Sequence, residues 1–273
     1  MVQAATTFRA LHDGPGAFII PNPWDVGTAR ILAAQGFKAL ATTSAGMAFA
    51  LGIREGRATP EQVLQHCHTL VAATDLPVSA DLEKGFGDSP ESVGETIRAA
   101  AATGLAGGSI EDHTGDPDHP IYEFSLAVER IAAAVEAARA VPGDFMLTAR
   151  CENLLWGRDD LDDTIRRLQA FEAAGADVLY APGLYDLDTV RTVCSAVTKP
   201  VNVVMGMPGA TFSAADLAAA GVRRISVGSA LARLAYGAFI DAAREMSGDG
   251  TFRFAHKAMG FTEIEGHFAD RDP

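Results

Sequence analysis

Short apolar runs alternate with longer stretches of helical period along nearly the whole chain. Runs at 17–20, 38–42, 77–81, 107–111, 145–150, 177–180, 200–204 and 223–227 read as strands. The stretches after them, at 24–35, 60–73, 90–103, 125–140, 161–174, 186–196, 213–219 and 229–245, carry apolar residues at helical spacing. Strands such as Val201-Asn202-Val203-Val204 and Ile225-Ser226-Val227 are β-branched and nearly continuously apolar, as parallel strands buried on both faces are. Several helices close on a related phrase with glycine just past the end, as in Ala173-Ala174-Gly175-Ala176 and Ala219-Ala220-Gly221-Val222, where glycine lets the chain turn back. Eight strand–helix units predict an α/β fold, a closed (β/α)8 TIM-type barrel rather than an open sheet.

No Pro/Ser-rich linker or charge block divides the chain before about Met246, so 1–273 reads as a single domain. Ser247-Gly248-Asp249-Gly250 is expected to break the last long helix. The tail at 246–273 carries Phe252, Phe254, Met259, Phe261 and Phe268, more apolar mass than a solvated tail needs. It is expected to be a helical extension packing on the barrel or on a neighbouring subunit, including by exchange between subunits.

At 273 residues the chain has the length of one such barrel, typically about 250 residues. Hydrophobic residues make up 48% and charged residues 21%, enough to build a large core. The formal net charge of −13 disfavours nucleic acid and anionic membrane as partners. Cys67, Cys151 and Cys194 lie far apart without a CxxC pair, so neither a disulfide framework nor a Cys-type zinc site is readable, and a cytoplasmic location is expected. Cys151 reads as packing rather than as a nucleophile. No signal peptide or membrane-spanning apolar run is evident.

Reactive side chains of a parallel barrel come from the C-terminal ends of its strands. The third strand ends Asp81-Leu82-Glu83, and the fourth ends Glu111-Asp112-His113. Taken singly, acids such as Glu83 and Asp112 are as readily solvated loop or capping residues. Clustered at one mouth they repel, and a hard divalent cation, Mg²⁺ or Mn²⁺, is the economical neutraliser. The fifth strand ends Arg150-Cys151-Glu152, bringing a guanidinium suited to bidentate capture of a carboxylate, or to an ion pair with Glu152 or Glu111.

The pieces Asn22-Pro23-Trp24-Asp25, Thr42-Thr43-Ser44-Ala45-Gly46, Asp81-Leu82-Glu83-Lys84-Gly85-Phe86-Gly87, Ile110-Glu111-Asp112 and Thr148-Ala149-Arg150-Cys151-Glu152, in that order, resemble the isocitrate lyase/phosphoenolpyruvate mutase superfamily. The resemblance runs from about Phe8 to Glu245. It implies a barrel with magnesium at its mouth, binding small 2-oxo or 2-hydroxy acids and stabilising an enolate-like intermediate. Carried over by position, Asp81 is the direct metal ligand, with Glu83 and Glu111 in its water-mediated shell and Glu55 near the metal. Trp24, Thr43, Ser44, Asp81, Arg150, Glu152 and Asn202 are the expected substrate-binding residues, and Arg150, Glu111 and His113 the expected catalytic ones. The superfamily commonly forms dimers and tetramers, so a homodimer or homotetramer is expected.

The loop at 112–122 departs from the family. It lacks the lysine and the proton-transferring cysteine of the lyases, and also the mutase's basic and amide residues. His113, His119 and Tyr122 remain as acid/base candidates. The leading expectation is a Mg-dependent carbon–carbon lyase or decarboxylase acting on a small 2-oxo acid. The alternatives are carbon–phosphorus chemistry on a phosphonopyruvate-type substrate, and a non-catalytic 2-oxo acid binder. A weaker reading takes Val227-Gly228-Ser229 as a phosphate-gripping turn.

Overall fold

A computed structural model describes residues 2–207, 209 and 211–268. The end of the tail, 269–273, lies outside the described residues.

The eight strands are β1 (Phe18–Ile20), β2 (Leu40–Ala41), β3 (Val78–Asp81), β4 (Gly107–Glu111), β5 (Met146–Arg150), β6 (Val178–Tyr180), β7 (Val201–Val204) and β8 (Arg224–Ser226). They pair in parallel in the order β1-β8-β7-β6-β5-β4-β3-β2. The remaining seam, between β1 and β2, is bridged by Ala41 N–H to Pro21 O at 3.1 Å and Asn22 Nδ2 to Thr42 O at 2.9 Å. The sheet is thus a nearly closed (β/α)8 barrel.

The helices are α1 (Val2–Asp13), α2 (Val26–Ala34), α3 (Ser44–Ala50), α4 (Pro60–Ala73), α5 (Pro90–Ala102), α6 (Phe124–Ala140), α7 (Leu161–Ala173), α8 (Leu187–Ala196), α9 (Ala214–Ala219), α10 (Ala230–Gly248) and α11 (Phe261–Gly266). Side chains of Asp25, Thr59, Ser89, Asp160, Asp186 and Ser213 accept from backbone N–H groups at the starts of six of them. Gly175 and Gly221 take positive φ after α7 and α9, and a Cβ there meets Val135 Cγ1 at 3.0 Å and Cys194 Cβ at 2.9 Å. Only glycine combines that turn with that approach.

Besides α11 in the tail, two helices fall outside the strand–helix alternation. α1 lies across the lower end of the barrel, where Phe8 is fully buried with Ile20, Met146 and Val178, and Arg9 pairs with Asp144 and Asp177. α3 opens directly after β2. The last long helix ends within 247–250, as expected: α10 runs through Gly248 and is capped by Asp249, whose N–H bonds to Glu245 O. A glycine near a helix end is tolerated when the next residue supplies the cap. In the tail beyond it, a 3-10 turn at Arg253–Lys257 is followed by α11, and Phe252 and Phe261 are exposed.

Candidate active site

Parallel pairing sets Glu111 beside Arg150, Arg150 beside Tyr180, Tyr180 beside Asn202 and Asn202 beside Arg224. Residues two apart on one strand share a face, so a polar inner wall forms across β4 to β8. It borders a cavity of about 70 Å³ lined by Asn22, Thr42, Thr43, Asp81, Arg150, Tyr180, Asn202, Arg224 and Ser226.

Arg150 organises the rim. Its Nη1 lies 3.3 Å from Glu111 Oε2 and 3.8 Å from Asp81 Oδ1, and its Nε donates to Glu152. The guanidinium also sits 5.1 Å from the centre of the Tyr180 ring. Burial works against its charge, but Glu152 and Glu111 outweigh that and keep it protonated. Glu152 responds oppositely: burial pushes its carboxyl up to about 8 despite Arg150. For Glu111, burial opposes ionisation, yet Arg150 and His113 hold its carboxyl below the usual range.

On the other side of the mouth, Ser44 Oγ joins Asp81 Oδ2 at 2.9 Å and Glu55 Oε1 at 3.0 Å. Thr42 Oγ1 receives Asp81 N–H at 2.9 Å, so the β2 end fixes the carboxylate that terminates β3. Thr43 caps α3 by accepting Gly46 N–H at 3.2 Å. Glu83 adopts φ 50, left-handed backbone unusual outside glycine, just where the strand turns outward. Its carboxyl is pushed up to about 7 by burial, then by the charges of Asp81, Glu111 and Glu55, and Glu55 is raised for the same kinds of reason.

The donor set for a metal divides accordingly. Among the described residues no three His, Cys, Asp or Glu side chains converge as direct ligands, so the acids do not form an all-protein cage. The mutual repulsion recorded at Glu83 and Glu55 fits a cation held by one carboxylate and by others through water. Asp81, with Glu83, Glu111 and Glu55 around it, is the set that fits.

His113 follows β4 with Nδ1 3.7 Å from Glu111 Oε1, and its ring stacks on Trp156 at 3.9 Å. Its Nε2 is buried without a hydrogen-bond partner. Trp156 in turn donates to Glu152 Oε2 at 3.1 Å. The other two acid/base candidates lie elsewhere: His119 is exposed, and the Tyr122 hydroxyl donates to Asp88 and is pushed above its usual value by burial. Cys151 is fully buried in the core, as packing requires.

Trp24 lies against Gly46 and borders a neighbouring groove with Met47, Leu51 and His66, outside the residues that line the cavity. One expectation needs correcting. The turn after β8 does not offer a free phosphate cradle, since Val227 and Gly228 N–H both donate to Asn22 Oδ1 at 2.9 and 3.0 Å. Asn202 does line the cavity, but its amide is engaged with Ser226 and Arg224. Sequence reasoning missed Tyr180, Arg224, Ser226 and Trp156. Arg224 and Ser226 carried a signal, two polar residues at inward-facing spacing in an otherwise apolar strand.

Comparison with known proteins agrees with this architecture. A family model described as phosphoenolpyruvate phosphomutase matches residues 8–247. The crystal structure of a candidate lyase/mutase from Burkholderia cenocepacia J2315 is 60% identical, with a TM-score of 0.96 over 99% of this chain and 97% of that one. That of a 2,3-dimethylmalate lyase is 28% identical, with a TM-score of 0.86 over 98% and 95%. The 2-methylisocitrate lyase of Escherichia coli is 32% identical over 212 residues, 75% of this chain and 70% of the relative. With most of its length matched by that family model and by these relatives, the chain belongs to the isocitrate lyase/phosphoenolpyruvate mutase superfamily.

Proposed function

We propose that this chain is a Mg²⁺- or Mn²⁺-dependent lyase or decarboxylase that breaks the carbon–carbon bond next to the carbonyl of a small 2-oxo acid. The observation that carries it is Arg150, held protonated at the rim between Asp81, Glu111 and Glu152 and bordering a cavity sized for a short acid. The metal, when bound by Asp81 and through water by Glu83, Glu111 and Glu55, supplies Lewis-acid stabilisation of developing enolate charge. Arg150 binds the carboxylate or oxo side of the substrate, and Glu152 and Glu111 fix its orientation. Thr43 and Ser44 at the end of β2 donate to the substrate carboxylate. His113, with Nδ1 beside Glu111 and its ring stacked on Trp156, is the proposed proton-transfer group.

Oxaloacetate turnover with Mg²⁺, with chelator, and in Asp81→Ala tests this directly. Activity is expected to depend on the cation and to fall at least 100-fold in Asp81→Ala, an order of magnitude set by electrostatic stabilisation. Full activity in chelator overturns the metal assignment. Calorimetric binding of 2-oxoglutarate without any turnover favours the non-catalytic binder, and turnover of phosphonopyruvate favours carbon–phosphorus chemistry.

We also propose a homo-oligomer in which a second copy covers α10 and the tail. Of the 19 residues of α10 only Ala232 is buried, while Leu234 and Phe239 are 72% and 69% exposed. An apolar face of that size calls for a partner surface.

A further inference from the structure

One buried charged group that borders the cavity has no part in the chemistry above. Arg224 opens β8 and is 5% exposed. Its Nε donates to Asn202 Oδ1 at 2.9 Å and its Nη2 to Thr148 Oγ1 at 3.0 Å, whereas Nη1, also buried, has no partner. Both partners are neutral. Burial pushes the guanidinium down to about 10, with Tyr180 working against that shift. From below, His12 brings no negative charge, and Arg224 itself disfavours protonation of that ring.

A cation taken out of water without a counter-charge is costly, and proteins meet that cost with a pair or a ligand. Arg224 borders the same cavity as Arg150, alongside neutral Asn22, Asn202 and Ser226. Arg150 already has Glu111 and Glu152 close to it. Arg224 is left as the cavity's uncompensated positive charge. That charge is delocalised over the guanidinium, so an anion at the cavity wall is attracted whichever nitrogen it meets.

We propose that Arg224 is a specificity-determining residue that takes a second acidic group of the ligand, so that the cavity selects short dicarboxylates over monocarboxylates. The inference rests on the reading of this cavity as a small-acid site. A purely bracing Arg224, tying β5, β7 and β8 together, predicts no such selection.

Titration calorimetry with succinate and butyrate, in the presence of Mg²⁺, tests the inference, because the two probes differ by a carboxylate in place of a methyl group. The wild-type protein is expected to bind succinate at least about tenfold more tightly, the worth of one charge-assisted hydrogen bond. Arg224→Gln is expected to reduce that ratio below about threefold with butyrate affinity little changed. Should Arg224→Gln fail to fold, Arg224→Lys, which keeps the charge but loses the planar fork, is expected to lower the ratio by about threefold or more. A wild-type ratio near one, or a ratio unchanged in the variants, overturns the proposal. Separate turnover assays distinguish the two readings: no turnover with the dicarboxylate preference intact rejects only the catalytic one, and turnover with a preference indifferent to Arg224 rejects only this one.

Discussion

His12 shows how far burial can move a single side chain in this barrel. It lies on α1 with its ring edge-on to Phe8 and Phe18, and its Nδ1 pairs with Phe8 O at 2.9 Å. Burial, then the charge of Arg224, lowers its pKa from 6.5 to about 3. Above pH 6.5 the ring is neutral in both folded and unfolded chains. Between 6.5 and about 3 the unfolded chain binds a proton that the folded one refuses, so stability falls with pH by roughly 1.4 kcal/mol per unit from this group. Urea unfolding at pH 7.5, 6.5 and 5.5 is expected to show a flatter decline in His12→Gln than in the wild-type protein. Equal slopes would refute the assignment. Other buried groups act in the opposite sense, Asp112 and Glu83 being raised to about 6 and 7, so the comparison with the variant isolates the histidine.

At the scale of elements, the segment between β4 and α6 is tied down at several points. His113 and Ile121 form an antiparallel bridge, and Thr114 N–H donates to Pro120 O at 2.9 Å. Lys84 Nζ reaches both Asp88 Oδ1 and Thr114 O at 2.7 Å, while Arg130 underlies the Tyr122 ring at 4.2 Å and donates to Gly87 O at 2.9 Å. Asp112, beneath this segment, accepts from Glu152 N–H at 2.7 Å and pairs with Arg167 at 3.1 Å. These bonds give the segment a packing role where lyases of the superfamily place a proton-transferring cysteine. Isocitrate and 2-methylisocitrate are therefore expected to release no glyoxylate or succinate at enzymatic rates. Efficient release of either product would show that another group, with His113 the nearest candidate, has taken over the proton transfer.

The whole molecule leaves its last helix only lightly attached to its own barrel. α10 meets the rest of the barrel where Tyr236 lies edge-on to Phe49 at 6.3 Å and Arg233 Nη2 donates to Gly206 O at 2.9 Å, and in the turn that follows it Glu245 accepts from Thr251 Oγ1 at 2.6 Å. Phe252, Met259 and Phe261 stay exposed in the isolated chain. Removing such surface from water is worth about 25 cal/mol per Å², so a second copy is the expected cover. Light scattering is expected to show a dimer or tetramer at micromolar concentration, and truncation after Met246 to shift it toward smaller species. A wild-type monomer, or an oligomer indifferent to the truncation, would count against it. No described helix is long and apolar enough to cross a membrane.

The sequence by itself determined the eight-fold alternation, most helix boundaries to within a residue or two, and the acids and Arg150 at the ends of β3, β4 and β5. These are local properties: a periodicity, a capping residue, a position at a strand's end. α1 and α3 escaped it because one lies outside the alternation and the other is a short apolar helix inserted between β2 and the helix that completes its unit. Tertiary structure alone decided which polar groups meet. Arg224 and Thr148 are 76 positions apart, Asn22 and Val227 are 205 apart, and only closure of the barrel brings each pair within bonding distance. It also decided roles among chemically equivalent candidates: His113 stands at the site, His119 in solvent, and Tyr122 in a strap. A charge's function follows from what surrounds it, and in a barrel those surroundings come from strands far apart in sequence.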